Sequence, residues 1–427
     1  MKETLNIGYI GLGRRGSGIL QRCLRHMEDV NILYLCDTED VRLERNCAEV
    51  EKAKGYAPKL TKNYREILQD PEVDAVFIMT GWSGRPQIAM ESMRAGKYTA
   101  IEVGCADNLQ ECWDLVNTYE ETKVPVMMLE NACYCRREMT ALKMKKLGTF
   151  GEIVHCTGAY AHYLNDCELF KDIDTTERKH YRLDEYIQRN RENYPTHDLG
   201  PISKVLSLNR GNKMNSLVSV ASKSCGLRQY AKDHLGEDSK YANIDYKQGD
   251  IVNTLITCEN GETILLTLDT TLPRPYSRNY VIQGTKGIAS EDANFSISIE
   301  GLTPQNDSWD PNEWRPMKEY YETHGHPLWK TYRDTGVKSG HGGMDYLVLR
   351  AFIEAVRDKT DTPIDVYDTA AWMAITPLSE DSVACGGKPI AIPDFTEGRW
   401  LTPRPVVRGK YCLDEICEDA YEGITAL

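Results

Sequence analysis

Four side chains that can move protons occur in two closely spaced pairs: Tyr160 with His162, and Tyr194 with His197. Residues two apart in a β-strand share a face, and residues three apart in a helix are neighbours on its surface. Histidine and tyrosine act as general acids and bases when their surroundings tune their pKa values. The spacing is compatible with proton-transfer chemistry, but by itself it is more typical of a polar sheet face and a surface pair.

A glycine-rich turn near the N-terminus predicts a dinucleotide site. It reads Gly-x-Gly-x-x-Gly, follows an apolar strand and opens a helix. The first glycine permits a tight turn, the second lets backbone approach a pyrophosphate, and the third allows close helix–strand packing. N–H groups at the helix start attract phosphate. The predicted contacts are the whole turn, Gly11, Leu12, Gly13, Arg14, Arg15 and Gly16.

An acidic residue ends the second predicted strand. Asp37 lies about 20 residues beyond the glycine-rich turn, where a carboxylate accepts hydrogen bonds from a ribose 2′-hydroxyl and repels a 2′-phosphate. No cation occurs among the three residues that follow it. Asp37 therefore favours NAD over NADP.

The elements around these residues fall into two patterns. Strand and helix signals alternate over the first 130 residues, which predicts a doubly wound parallel sheet of the Rossmann type. After residue 150, strand-like segments separated by turns such as Asn260-Gly261 predict a large, mostly antiparallel open sheet. Residues 301–340 read as a long loop, and 344–358 and 366–384 as helices. We expect an α/β chain with an NAD-binding domain at 1–132 and an α+β substrate-binding and oligomerisation domain at 133–427.

Composition excludes several classes of partner and site. The 427 residues carry a net charge of -13, which argues against nucleic acid and anionic membranes. The chain starts directly with a strand and shows no export leader, so we expect a cytoplasmic location and reduced thiols for its 14 cysteines. Cysteine spacing is unlike that of zinc sites, and His324-Gly325-His326 lacks partner ligands. No metal is predicted.

Further segments, in a fixed order along nearly the whole chain, resemble a known family. A Rossmann half followed by an open sheet is similar to the Gfo/Idh/MocA oxidoreductases, most of which carry Glu-Lys-Pro where this chain has Glu102-Val103-Gly104. Loss of that lysine is typical of the NAD-dependent glycosidases of glycoside hydrolase family 109. Segments similar to that branch include Tyr194-Pro195-Thr196-His197 and Gly340-His341-Gly342-Gly343-Met344-Asp345. Gly104 in place of proline and Asp198 in place of glycine depart from the pattern.

The resemblance implies hydrolysis by transient oxidation. Hydride leaves carbon 3 of the sugar for a tightly bound NAD, and the resulting ketone acidifies the proton on carbon 2. A base removes that proton, the aglycone is eliminated from carbon 1, water adds, and the hydride returns. NAD is thus regenerated in every turnover, and the paired carboxylates of ordinary glycosidases are not required.

The resemblance also implies roles for individual residues. Tyr160 is the candidate base at carbon 2, while Tyr194 and His197 are candidates at the carbon 3 hydroxyl; this division is a hypothesis. The remaining implied residues are the sugar contacts Glu130, His162, Arg182 and Tyr276, and the cofactor contacts Trp82, Glu102 and Asn131.

Two alternatives remain open. One is a sugar oxidoreductase that releases a ketosugar, and the other is a non-catalytic NAD-binding sensor. Val103 in the lysine position favours the glycosidase over the oxidoreductase, and the many candidate sugar-facing residues argue against the sensor. The implied partners are a small glycoside or glycan end, α-linked N-acetylgalactosamine or a broader set of α- and β-glycosides, and further copies of the chain in a homo-oligomer.

Overall fold

The computed structural model describes residues 4–171, 180–304, 314–334 and 340–423. They belong to two compact units. Unit 1 comprises Met1–Lys143, His324–Ala371 and Arg404–Leu427, and unit 2 comprises Met144–Thr323 and Trp372–Pro403. The sequence predicts a single boundary after residue 132, whereas in the structure two later segments return to the N-terminal unit.

Unit 1 is built on a parallel sheet of six strands among the described residues, in the order β3-β2-β1-β4-β5-β6. This order is that of the doubly wound dinucleotide-binding fold, so the predicted Rossmann sheet is confirmed. The candidate cofactor residues follow the carboxyl ends of β1, β2, β4, β5 and β6. The strands are β1 (Leu5–Ile10), β2 (Val30–Cys36), β3 (Lys59–Thr61), β4 (Ala75–Ile78), β5 (Tyr98–Ile101) and β6 (Val126–Met128).

Aromatic packing explains why late segments join unit 1. The rings of Tyr9 and Phe77, from adjacent strands, are stacked with centroids 6.0 Å apart, and Phe352 meets Phe77 edge-to-face at 5.1 Å. All three side chains are fully buried. Burying them removes several hundred Å² of apolar surface from water, so residues 344–358 are part of the same core as the N-terminal sheet.

Unit 2 is built on a mixed sheet of nine strands within the described ranges, in the order β14-β13-β12-β11-β7-β10-β9-β8-β15. β7 and β10 pair in parallel, and every other neighbouring pair is antiparallel. The predicted, mostly antiparallel sheet is therefore confirmed. The strands are β7 (Ile153–Ala161), β8 (Met214–Ala221), β9 (Ile251–Cys258), β10 (Thr263–Asp269), β11 (Val281–Gly284), β12 (Gly287–Ser290), β13 (Ser296–Ile299), β14 (Arg315–Pro316) and β15 (Ile390–Ala391).

Helices complete the two units. The prediction of one long loop over 301–340 was wrong for 315–334, where apolar side chains such as Leu328 and Tyr332 are buried on helical turns; 305–313 and 335–339 lie outside the described residues. In the described part of the chain, no helix has the length and apolarity needed to cross a membrane. The helices are α1 (Arg14–Arg22), α2 (Asp40–Lys54), α3 (Tyr64–Gln69), α4 (Arg85–Arg94), α5 (Leu109–Thr122), α6 (Arg136–Lys146), α7 (Tyr181–Gln188), α8 (Thr196–Val205), α9 (Gly226–Leu235), α10 (Tyr321–His324), α11 (Pro327–Asp334), α12 (Met344–Asp358) and α13 (Val366–Ala384).

Candidate active site

The glycine-rich turn of unit 1 leaves the start of α1 open to a ligand. Gly11 has a φ of +97°, and a Cβ there would lie 2.7 Å from the carbonyl carbon of Met79. A Cβ on Gly16 would overlap the carbonyl of Gly11, which brings α1 close to the end of β1. At Gly13, by contrast, no described atom lies within 4 Å of the Cβ position, and no side chain caps the helix. The backbone N–H groups there are placed to receive a pyrophosphate.

Asp37 supports the glycine-rich turn with both of its carboxylate oxygens. Its Oδ2 accepts a hydrogen bond from the N–H of Leu12 at 2.7 Å, and its Oδ1 accepts one from the N–H of Glu39 at 3.0 Å. Arg42, which was not among the predicted site residues, lies 3.5 Å from Oδ1 and is paired to this carboxylate. A carboxylate has further acceptor capacity for a ribose hydroxyl, which fits NAD.

Two orphaned polar atoms also fit a bound dinucleotide. Oε2 of Glu102, after β5, and Oδ1 of Asn131, after β6, are buried and have no hydrogen-bond partner among the described residues. A buried acceptor without a partner costs free energy, which a ligand hydroxyl or amide can relieve. Together with the open start of α1, these two acceptors fit the predicted NAD contacts Glu102 and Asn131.

The turn that replaces Glu-Lys-Pro is buried and braced. Val103 is buried, and Arg85 donates to its carbonyl oxygen at 2.8 Å and to the carbonyl oxygens of Glu102 and Thr80. A Cβ on Gly104 would lie 2.7 Å from Nε1 of Trp82, so the tryptophan fills the space that a larger residue would take. Trp82 thus packs against this turn, which accounts for Gly104 in place of proline.

In unit 2 the structure brings the three candidate bases together. Tyr160 lies near the end of β7, Tyr194 lies just before α8, and His197 lies in its first turn. The ring of Tyr160 is 4.3 Å from that of Tyr194 and 5.8 Å from that of His197, and the latter two are 5.0 Å apart. This grouping can pass protons to and from adjacent carbons of one small ligand.

The predicted sugar contacts of unit 2 surround this cluster. Oη of Tyr160 lies 3.4 Å from Nδ1 of His162, whose ring meets that of Tyr276 edge-to-face at 5.2 Å. Tyr276 is 51% exposed, so its ring is accessible to a ligand that enters from solvent. Arg182 lies over the ring of Tyr194 at 4.7 Å. Glu130 is buried in unit 1, where its Oε1 accepts the N–H of Ala132 at 2.9 Å.

Burial and a nearby ion pair set the acidity of Tyr160. Burial raises the pKa of its phenol to about 12, the positive charge of Arg182 opposes that rise, and Glu168 adds to it. Arg182 and Glu168 are paired at 3.1 Å. The phenol is therefore harder to ionise than that of a free tyrosine, and the Arg182 cation offsets part of this cost.

Two buried carboxyl groups between residues 192 and 198 were not among the predicted site residues. Glu192 is 1% exposed, and its Oε1 accepts the N–H of Tyr194 at 3.0 Å. Asp198 is buried against β7, where Gly158 provides the room, because a Cβ on Gly158 would lie 2.5 Å from the Cβ of Asp198. The only sequence signal was the departure from glycine at Asp198.

Glu192 makes stability depend on pH. Its pKa is raised from 4.5 to about 8, because burial raises it more than the hydrogen bond from the Tyr194 N–H lowers it. Between these two pH values the unfolded chain ionises while the folded protein keeps the proton, so the free energy of unfolding falls as pH rises. We therefore expect the Tm of Glu192→Gln, measured by calorimetry, to rise by a few degrees relative to that of the parent as pH is raised from 5 to 8.

The matched control is Glu152→Gln, because Glu152 is an exposed glutamate of the same unit. Its Tm difference from the parent is expected to stay constant over this range. If the Tm of Glu192→Gln and that of the parent instead change with pH in the same way, Glu192 is ionised in the folded protein.

Comparison with known proteins agrees with this geometry. Residues 5–130 match the model of the oxidoreductase family with an NAD-binding Rossmann fold. Among solved structures, a levoglucosan dehydrogenase in complex with NADH and levoglucosan superposes with a TM-score of 0.67 at 16% identity, covering 91% of this chain and 100% of that one. The chain thus has the fold of the Gfo/Idh/MocA oxidoreductases and binds NAD.

The second half of the chain identifies the branch. Residues 134–402 match the C-terminal domain of glycosyl hydrolase 109. A glycosyl hydrolase family 109 protein of Stenotrophomonas maltophilia is 39% identical, over 96% of this chain and 93% of its own length. An alpha-N-acetylgalactosaminidase of Tannerella forsythia is 37% identical, over 94% and 88%. The chain belongs to glycoside hydrolase family 109 and is an NAD-dependent glycosidase, as the sequence segments predicted.

Proposed function

We propose that the enzyme hydrolyses its glycoside by transient oxidation at carbon 3, elimination of the aglycone, water addition and re-reduction. The observation that carries this proposal is the cluster of Tyr160, Tyr194 and His197, which provides several proton-transfer groups within one ring-contact distance of each other. NAD held by the glycine-rich turn, Asp37, Glu102 and Asn131 would supply the hydride acceptor and donor for this cycle. Val103 supports this cycle, since the lysine of ordinary family dehydrogenases is replaced by a buried apolar side chain.

The proposed residue roles follow the positions in the cluster. Tyr194 and His197 take the proton of the carbon 3 hydroxyl as it is oxidised and return it on reduction. Tyr160 removes the proton from carbon 2, with the Arg182 cation favouring its ionised form. Elimination from carbon 1 then needs no oxocarbenium ion, so no second carboxylate is required.

Sugar binding is proposed for four further residues. Arg182, His162 and Tyr276 offer a cation, an imidazole and an exposed aromatic ring around the cluster. Hydroxyl and acetamido groups accept and donate hydrogen bonds to such side chains, and an aromatic ring packs on a pyranose face. Glu130 is proposed from the family resemblance alone.

The proposed substrate is a small glycoside or glycan end carrying α-linked N-acetylgalactosamine. The relative named alpha-N-acetylgalactosaminidase supports this sugar. In an elimination the leaving group departs from a carbon next to an acidified one, so β-glycosides are also accessible. We therefore propose a preference for that sugar with activity on both anomers.

The test is hydrolysis of a panel of nitrophenyl α- and β-glycosides by the purified enzyme without added NAD. Nitrophenol release without net NADH is the expected result. Accumulation of NADH with a ketosugar product would instead establish a sugar oxidoreductase. Bound NAD with neither product across the panel would contradict catalysis on these sugars.

We further propose a homo-oligomer in the cytoplasm. The side of the second sheet that carries Val220 and Leu255 leaves these apolar residues about half exposed on adjacent strands, which supports pairing with a second copy. The 14 cysteines, all within the described residues, form no disulfide, which supports a reducing compartment. A monomer mass in light scattering, or recovery outside the cytoplasm on cell fractionation, would contradict these proposals.

A further inference from the structure

Asp345, in the first turn of α12, is a fully buried carboxylate that collects hydrogen bonds from three other residues of unit 1. Its Oδ1 accepts from Arg15 at 2.9 Å and from Asn131 at 2.6 Å. Its Oδ2 accepts from Arg15 at 2.9 Å and lies 2.7 Å from Nδ1 of His341. A two-pronged guanidinium–carboxylate pair is strong and fixes the orientation of both groups.

Arg15 extends this contact to the glycine-rich turn. It is the second residue of α1, directly after the backbone N–H groups placed to receive the pyrophosphate. Its Nε also lies 3.2 Å from Oε1 of Glu102, after β5. One guanidinium thus ties the start of α1 to α12 and to the carboxyl end of the parallel sheet.

The turn before Asp345 is shaped for this contact. Gly340 has a φ of +105°, and a Cβ there would lie 2.6 Å from the Cβ of Asp345. The N–H of Gly343 donates to the carbonyl of Gly340 at 2.8 Å, closing the turn in front of α12. The start of α12 adds the positive end of a helix dipole beside the carboxylate.

We propose that Asp345 is a positioning residue that, through Arg15, holds the glycine-rich turn in the conformation that retains NAD between turnovers. Burial would raise the pKa of Asp345, but hydrogen bonds from His341 and Arg15 and the charge of Arg15 hold it well below its usual range. The carboxylate therefore stays charged at working pH. The inference rests on the proposed function only in that NAD is reused in each turnover.

The test measures loss of NAD from the loaded enzyme, with no sugar present. Holoenzyme is passed into nucleotide-free buffer, and the NAD remaining on the protein is quantified over time by chromatography. We expect Asp345→Asn and Arg15→Gln each to raise the dissociation rate at least tenfold. The double variant should be no worse than either single one, because both substitutions break the same contact.

The matched control is Asp29→Asn. Asp29 accepts two hydrogen bonds from Arg350, at 2.6 and 2.9 Å, so it forms a similar pair between another loop of unit 1 and α12. Asp29→Asn should lower Tm, and its NAD dissociation rate should stay within twofold of that of the parent. If Asp345→Asn does not fold, Arg15→Lys carries the test, because it keeps a cation on this partly exposed side chain but loses the two-pronged contact with Asp345.

Dissociation rates equal to that of the control, or effects of the two substitutions that multiply in the double variant, would overturn the proposal. Because no turnover takes place, this outcome is independent of whether the proposed hydrolysis is correct.

Discussion

Replacing Tyr160 by phenylalanine is expected to abolish exchange of the carbon 2 proton with solvent deuterium and to lower kcat by roughly 10²–10⁴-fold. The substitution removes the phenol while keeping the ring, whose centroid lies 4.3 Å from that of Tyr194. The fold of the cluster should therefore survive. Exchange is followed by NMR of the sugar in heavy water, with the released aglycone measured in parallel.

The pH dependence separates a basic role for Tyr160 from a packing role. The ionised phenol is the active form and its pKa is raised to about 12, so the parent exchange rate should climb as pH rises above neutral. Tyr160→Phe should lose that climb. Tyr163 lies close to the same strand, but its ring packs against Tyr230. The control variant Tyr163→Phe should therefore behave as the parent. Undiminished exchange in Tyr160→Phe would leave Tyr194 or His197 as the carbon 2 base.

Replacing Gly13 by alanine is expected to weaken NAD binding at least tenfold, about 1.4 kcal/mol, without unfolding the protein. No described atom lies within 4 Å of the added methyl group, and the backbone of Gly13 is in an ordinary extended conformation. Among the described residues the methyl group displaces nothing, so it acts on the ligand, because this glycine lets backbone approach the pyrophosphate. Calorimetric titration of the apoprotein with NAD measures the loss.

Gly409→Ala is the matched control for Gly13→Ala. It adds a methyl group in the same unit, 3.6 Å from a carboxylate oxygen of Glu354, which is ordinary contact. Both variants should keep the parent Tm in the absence of NAD, and only Gly13→Ala should lose affinity. Equal affinities for the two variants would place the pyrophosphate away from the glycine-rich turn.

Local patterns were sufficient for the cofactor half. The spacing of Gly11, Gly13 and Gly16 and the acid at Asp37 predicted a turn that the structure contains, because each residue acts on backbone or ligand within its own βα unit. Strand and helix periods likewise predicted the parallel sheet and the change to a mixed sheet after residue 150.

Contacts between distant segments could not be derived from such patterns. Nothing in the sequence near Phe352 indicates that its ring packs on Phe77, so the return of later segments to unit 1 was not foreseen. No sequence motif singles out Glu192, and only its burial in the folded protein raises its pKa. Asp198 departs from the family pattern, and the room for it comes from Gly158 on β7.

The sequence alone determined that this chain binds NAD and belongs with the family 109 glycosidases, because those properties depend on residues at fixed spacing and on segments in fixed order. Tertiary structure decided how Tyr160, Tyr194 and His197 meet, and which residues support the cofactor turn. The contact between Arg15 and Asp345 joins positions 330 residues apart. Packing of the chain, rather than local periodicity, brings such residues within hydrogen-bonding distance.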